Sequence, residues 1–100
     1  MGDRGNIIVK VRGEADLYLY THWRGYDLAN ILKSALKHKD RWSDASYLAR
    51  IIFCEMVKGK EAEETGFGIS TFPPDTGAQL IVDVDAMTVD GVSFEKFVAA

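Results

Sequence analysis

A chain of 100 residues is long enough for one domain with one core and too short for two. With 47% hydrophobic and 27% charged residues it has the balance of a folded globular protein and not of a disordered one, and its net charge of −3 argues against general nucleic-acid binding. The single cysteine, Cys54, rules out an internal disulfide and points to a reducing, cytoplasmic setting; no stretch approaches the roughly 20 apolar residues of a membrane helix, and the opening MGDRGN has no apolar signal core.

GNIIVKVR, residues 5–12, is rich in β-branched side chains. It reads as a strand with Ile7, Val9 and Val11 on the core face and Asn6, Ile8, Lys10 and Arg12 on the other. The turn-like GEAD follows, and LYLYTHW, residues 17–23, makes the second arm of a hairpin. Alternation places Leu19 and Trp23 toward the core and Tyr18, Tyr20 and His22 on the opposite face.

Asp27 stands where the N-cap of a first helix is expected, followed by Leu28, Ile31, Leu32, Ala35 and Leu36 at helical spacing. Lys33, Lys37, His38 and Lys39 crowd its C-terminal end, where the helix dipole favours cations. DRWS, residues 40–43, links it to a second helix capped by Ser43 or Asp44, whose apolar stripe runs from Tyr47 through Leu48, Ile51, Ile52, Cys54 and Met56 to about Val57. In that stripe Cys54 reads as a buried structural thiol, and Arg50 as the partner of Glu55 or of an acid on the fourth strand.

After a charged loop at 58–66, FGISTF at 67–72 and QLIVDVD at 79–85 read as a second hairpin around PPDTG. AMTV suggests a short fifth strand ended by Asp90-Gly91, with Ser93 capping a final FEKFVAA turn or helix. The expected fold is α+β: an antiparallel sheet of four to five strands in the order β-β-α-α-β-β, with two helices packed on one face.

The other sheet face then needs an occupant. Tyr18, Tyr20 and His22 suit a stacking platform for a ligand, an oligomer interface, or the core if the faces are reversed. The basic Gly-aromatic signature of an RNA-recognition module is missing. Trp23, Arg24 and Gly25 precede a helix N-terminus, a setting in which free N–H groups and a guanidinium can meet an anion. A hairpin also sets Arg4 and Asn6 opposite Trp23, gathering Arg4, Asn6, Tyr20, His22, Trp23, Arg24 and Tyr26 as candidate ligand-binding residues.

The charge is unevenly spread. Residues 1–60 carry 11 basic and 7 acidic side chains, +4, whereas residues 61–100 carry 1 and 8, −7. The basic part offers a local anion site, or the two halves attract within or between subunits. Asp83 and Asp85, one residue apart, are a solvent-facing pair that joins Tyr18 and Tyr20 in a candidate interface, where they meet Lys10, Arg12 or His22 of a neighbour. No metal or cofactor motif accompanies them, and Gly66-Phe67-Gly68 enters a strand and lacks the strand-to-helix context of a dinucleotide turn. No catalytic signature is present; His22 is the one candidate for a small hydrolase.

MGDRGNIIVK followed by LYLYTHWRG resembles a family of small, mostly uncharacterised bacterial and bacteriophage proteins with an MGxRxNI start and an LYxHWxG motif. The matching residues are Met1, Gly2, Arg4, Asn6 and Ile7, then Leu19, Tyr20, His22, Trp23 and Gly25; RIIFCEM and ETGFGIS extend the likeness over most of the chain. The resemblance implies a cytosolic phage or prophage-associated protein and no particular chemistry. Several small phage proteins are non-enzymatic sponges that oligomerise and sequester nucleotide signals of host immunity, and that context makes a nucleotide-type ligand and a homo-oligomer the expected partners.

Overall fold

A computed structural model describes residues 4–13, 15–21, 27–39, 42–59, 66–72 and 78–99. Its elements are β1 (Gly5–Lys10), β2 (Leu17–Thr21), α1 (Leu28–Leu36), α2 (Ala45–Met56), β3 (Phe67–Ser70), β4 (Ala78–Asp83), β5 (Thr88–Val89), β6 (Val92–Ser93) and α3 (Phe94–Ala99). The strands form one six-stranded sheet in the order β3-β2-β1-β4-β5-β6.

The α+β class holds, but the sheet is mixed. β1 and β2 pair antiparallel as expected, with Ile7 opposite Leu19. β3 and β4, expected to form a hairpin, lie apart: β3 pairs antiparallel with β2, and β4 runs parallel to β1 in the centre of the sheet. The physical reason is burial. β1 and β4 are the strands with unbroken apolar runs, Ile7-Ile8-Val9 and Leu80-Ile81-Val82, which suit a strand sheltered on both sides and hence a parallel pair.

The core lies on one side of the sheet. Ile7, Val9, Leu19 and Val82 pack there against Leu28, Leu32 and Leu36 of α1 and Leu48, Ile52 and Met56 of α2. A third helix, α3, adds Phe94 to the same core, with its ring edge-on to Trp42 at 5.1 Å. The Trp42 indole N–H donates to the Leu36 carbonyl at 3.2 Å, so this residue closes the end of α1 and anchors α3 together.

Local chemistry sets the element ends. The Asp44 carboxylate accepts from the Tyr47 N–H at 3.2 Å and caps α2. Asp27 precedes α1 but does not cap it; its Oδ1 accepts from Asn30 Nδ2 at 3.2 Å. Ser93 Oγ accepts from the Lys96 N–H at 3.2 Å, as the sequence suggests for α3. Asp90 and Gly91 both have positive φ, +51° and +86°, the backbone of a tight two-residue hairpin turn between β5 and β6. Asp90 also exchanges two 2.9 Å hydrogen bonds with the Ile81 backbone, fastening the turn to β4.

Candidate functional site

Register decides what shares the sheet face away from the helices. One row across β3, β2, β1 and β4 is Gly68, Tyr20, Asn6 and Gln79; the next is Ser70, Tyr18, Ile8 and Ile81. A third row is Lys10, Asp83, Thr88 and Ser93. Tyr18 and Tyr20 therefore stand on this face, as the alternation of β2 predicts, and Leu19 on the core face is fully buried.

The centre of this face is not open to water. Asn6 is 1% exposed and Ile8 6%, although both point away from the helical layer. Both polar atoms of the Asn6 side chain, Oδ1 and Nδ2, lack a hydrogen-bond partner among the described residues. A buried carboxamide with nothing to pair to costs about 1–3 kcal/mol, so such groups are rare unless something satisfies them. The Tyr20 ring lies over Gly68, the position in its row without a β-carbon. Tyr18 and Tyr20 are each half-buried, Gln79 is exposed, and Arg4 is exposed just before β1 begins.

Of the candidate ligand-binding set, the structure brings Asn6 and Tyr20 face to face across β1 and β2 and sets Arg4 at the same end. His22, Trp23, Arg24 and Tyr26 lie outside the described residues, which stop at Thr21, opposite Gly5. Gly68 and Gln79 belong to the same row but escape a sequence reading, because their place depends on the pairing of β3 and β4 and not on any motif.

Asp83 and Asp85 do not form an exposed pair on one strand. β4 ends at Asp83, whose Oδ1 accepts from the Ala86 N–H at 3.2 Å; Asp85 Oδ2 accepts from the Arg12 N–H at 2.6 Å in the turn beyond. Lys10, opposite Asp83, is bonded to Asp16 at 2.8 Å. That hydrogen bond, then the Asp16 charge, raises the Lys10 pKa above its ordinary value. Of the basic groups expected from a neighbouring subunit, Lys10 is thus engaged within its own chain, Arg12 meets Asp85 through its backbone N–H, and His22 lies outside the described residues.

A second cluster runs along the outer side of α2. His38, Tyr47, Arg50, Cys54, Glu55 and Lys58 line an open cavity of about 430 Å³. Cys54, expected in the core, is exposed here: residues 47, 50, 54 and 58 recur at the spacing of one helical face, and that face is opposite Leu48 and Ile52. Arg50 pairs neither with Glu55 nor with β4. Its guanidinium lies 4.7 Å from the Tyr47 ring and donates from Nη1 to Cys54 Sγ at 3.8 Å. The sulfur bond raises the Arg50 pKa; Glu55 sits 3.9 Å from Lys58 instead.

Between α2 and the β2–β3 edge lies a smaller apolar groove of about 230 Å³ lined by Leu17, Ala49, Phe53 and Ile69. Ile69 on the edge strand is 53% exposed, and Phe72 just past it 77%. Among the described residues no group of three His, Cys, Asp or Glu side chains stands together to hold a metal ion, and no helix is long and apolar enough to cross a membrane.

Together these features define an α+β protein with helices on one sheet face and, on the other, a half-buried patch of tyrosines around an unpaired carboxamide. No protein-family model matches the chain, and no curated protein or solved structure is measurably similar to it.

Proposed function

We propose that this is a non-enzymatic binding protein that takes a nucleotide-like small molecule on the sheet face away from its helices, and that it serves a phage in the host cytoplasm by sequestering a nucleotide signal. The observation that carries the reading is Asn6: a side chain 1% exposed, on the non-core face, with neither polar atom paired among the described residues. Tyr18 and Tyr20 beside it supply aromatic surface for a planar ring. Arg4, before β1, supplies a positive charge at the same end.

Thermal unfolding against cyclic dinucleotides, ADP-ribose and mononucleotides tests it. A binder's melting temperature rises with ligand concentration; a melting temperature unmoved by every nucleotide ends the proposal. Ligand recovered chemically unchanged after denaturation separates a sponge from a hydrolase built on His22.

A second reading, an oligomeric interaction module, has its own support. Ile69, which lines the groove under α2, and Phe72, just past the end of β3, are exposed large apolar side chains, and an edge strand presents free backbone groups to a partner. Light scattering on the intact chain and on Ile69→Lys distinguishes the two. A monomer in both cases removes this reading, and a mass that falls only in the variant supports it.

A further inference from the structure

Resting on the binding reading above, we infer that the site recognises the hydrogen-bonding edge of a flat heterocycle, so that a nucleoside or free base suffices and phosphate is dispensable. The argument is the donor–acceptor inventory of Asn6. Both Oδ1, an acceptor, and Nδ2, a donor, are without a partner among the described residues, and both sit in a site closed to water.

A ligand that satisfies the pair must present a donor and an acceptor side by side in one plane. The Watson–Crick edges of all four bases do, as does the N6–N7 edge of adenine, which side-chain carboxamides pair with bidentately. A phosphate oxygen only accepts; it leaves Oδ1 unpaired, a loss worth roughly 10-fold or more in affinity. Among the described residues of the two rows around Asn6 no side chain is cationic: they are Gly68, Tyr20 and Gln79, then Ser70, Tyr18, Ile8 and Ile81. The chemistry in this patch is that of a base, with aromatic faces and amides, and Arg4 is an accessory at its margin. Because Asn6 is 1% exposed, ligand entry requires this face to open, and association runs below the diffusion limit.

Titration calorimetry of the intact chain tests this with adenosine, guanosine, cytidine and uridine, with ribose 5-phosphate and inorganic phosphate, and with the edge-methylated form of whichever nucleoside binds (N6,N6-dimethyladenosine for adenosine, 3-methyluridine for uridine). We expect at least one nucleoside to bind, neither phosphate to bind, and edge methylation to weaken binding at least 10-fold. Asn6→Leu is expected to cause the same loss in a protein that melts no lower. Equal affinity for the methylated nucleoside, or full affinity in Asn6→Leu, overturns the inference and leaves the binding reading intact. Binding of nucleotides but of no nucleoside has the same meaning. Failure of every nucleotide and nucleoside overturns both. Should Asn6→Leu not fold, the methylated ligands on the unaltered chain decide alone.

Discussion

Tyr20 lies across Gly68: its ring and hydroxyl occupy the space that a β-carbon at position 68 would take. The two residues are opposite one another in β2 and β3, so the ring rests on the backbone of the neighbouring strand. Glycine in a strand interior marks such a close approach. Gly68→Ala is therefore expected to push the ring off the edge strand. The obstacle is the far end of a side chain, so the cost is moderate, about 1 kcal/mol against the 1–3 of overpacking a rigid core. Urea denaturation of Gly68→Ala, Tyr20→Ala and the double variant measures it; strict additivity would show that the ring and the glycine do not interact. Because the displaced ring stands on the proposed ligand face, ligand affinity should change in Gly68→Ala as well.

Asn6→Leu tests the energetic state of the empty protein. The substitution keeps the branched heavy-atom skeleton, in a somewhat bulkier side chain, and removes two polar atoms that lack partners among the described residues. Relief of an unsatisfied carboxamide is worth about 1–2 kcal/mol, which for a domain of this size means a melting temperature higher by about 4–16 °C. A melting temperature that falls in Asn6→Leu and in the less bulky Asn6→Val alike would show that the amide is paired in solution, since overpacking alone weakens with side-chain size. A residue that costs stability when unliganded is what a binding site requires, since function and stability pull in opposite directions there.

Cys54 supplies a third prediction. Exposed on α2 beside Arg50, it should react in the native protein, without denaturant, to one thiol per chain. The guanidinium 3.8 Å from the sulfur favours approach of an anionic reagent. Arg50→Ala is accordingly expected to slow a dianionic aromatic disulfide several-fold more than it slows neutral iodoacetamide. Equal slowing of both reagents would assign Arg50 a packing role only.

The Lys10–Asp16 bond carries a pH signature. Lys10 has a higher pKa folded than its ordinary 10.5, so the stability it contributes is complete below about that pH and is lost as pH rises through the raised value. Both side chains are partly exposed, so the contribution is small. Stability of the unaltered chain should fall slightly more steeply above pH 10.5 than that of Lys10→Met, as read by urea midpoints across pH 9–11.5. Parallel profiles would mean the bond contributes nothing in solution.

Much of the fold can be read along the chain because it rests on local periodicity. The β1–β2 pairing, both long helices, the Ser93 cap and the two faces of Tyr18, Leu19 and Tyr20 follow from spacing alone. What escapes depends on partners far away in sequence. FGIS and the strand after PPDTG look like a hairpin by proximity, yet β3 finds β2 and β4 finds β1. The clue was present in Leu80-Ile81-Val82, a run too apolar for a strand wetted on one side. The site divides the same way. The hairpin itself is visible in the sequence, which sets Arg4 and Asn6 opposite Trp23, whereas the register that pairs Asn6 with Tyr20, the burial of Asn6 and the place of Gln79 and Gly68 exist only in the folded sheet. Counting apolar residues puts Cys54 in the core, but helical spacing with Tyr47, Arg50 and Lys58 assigns it to the outer side.

The parallel alignment of β1 with β4 has a consequence for how the chain is made. Gly5 has Ala78 as its partner, 73 residues further along, so the middle of the sheet cannot close until residue 78 is available. Closing so long a loop carries an entropy cost that only the completed core repays, and such non-local pairing slows folding. Until then the β1 side of the β1–β2 hairpin is an unpaired edge, a nascent state in which the face proposed for binding is most exposed to misassembly.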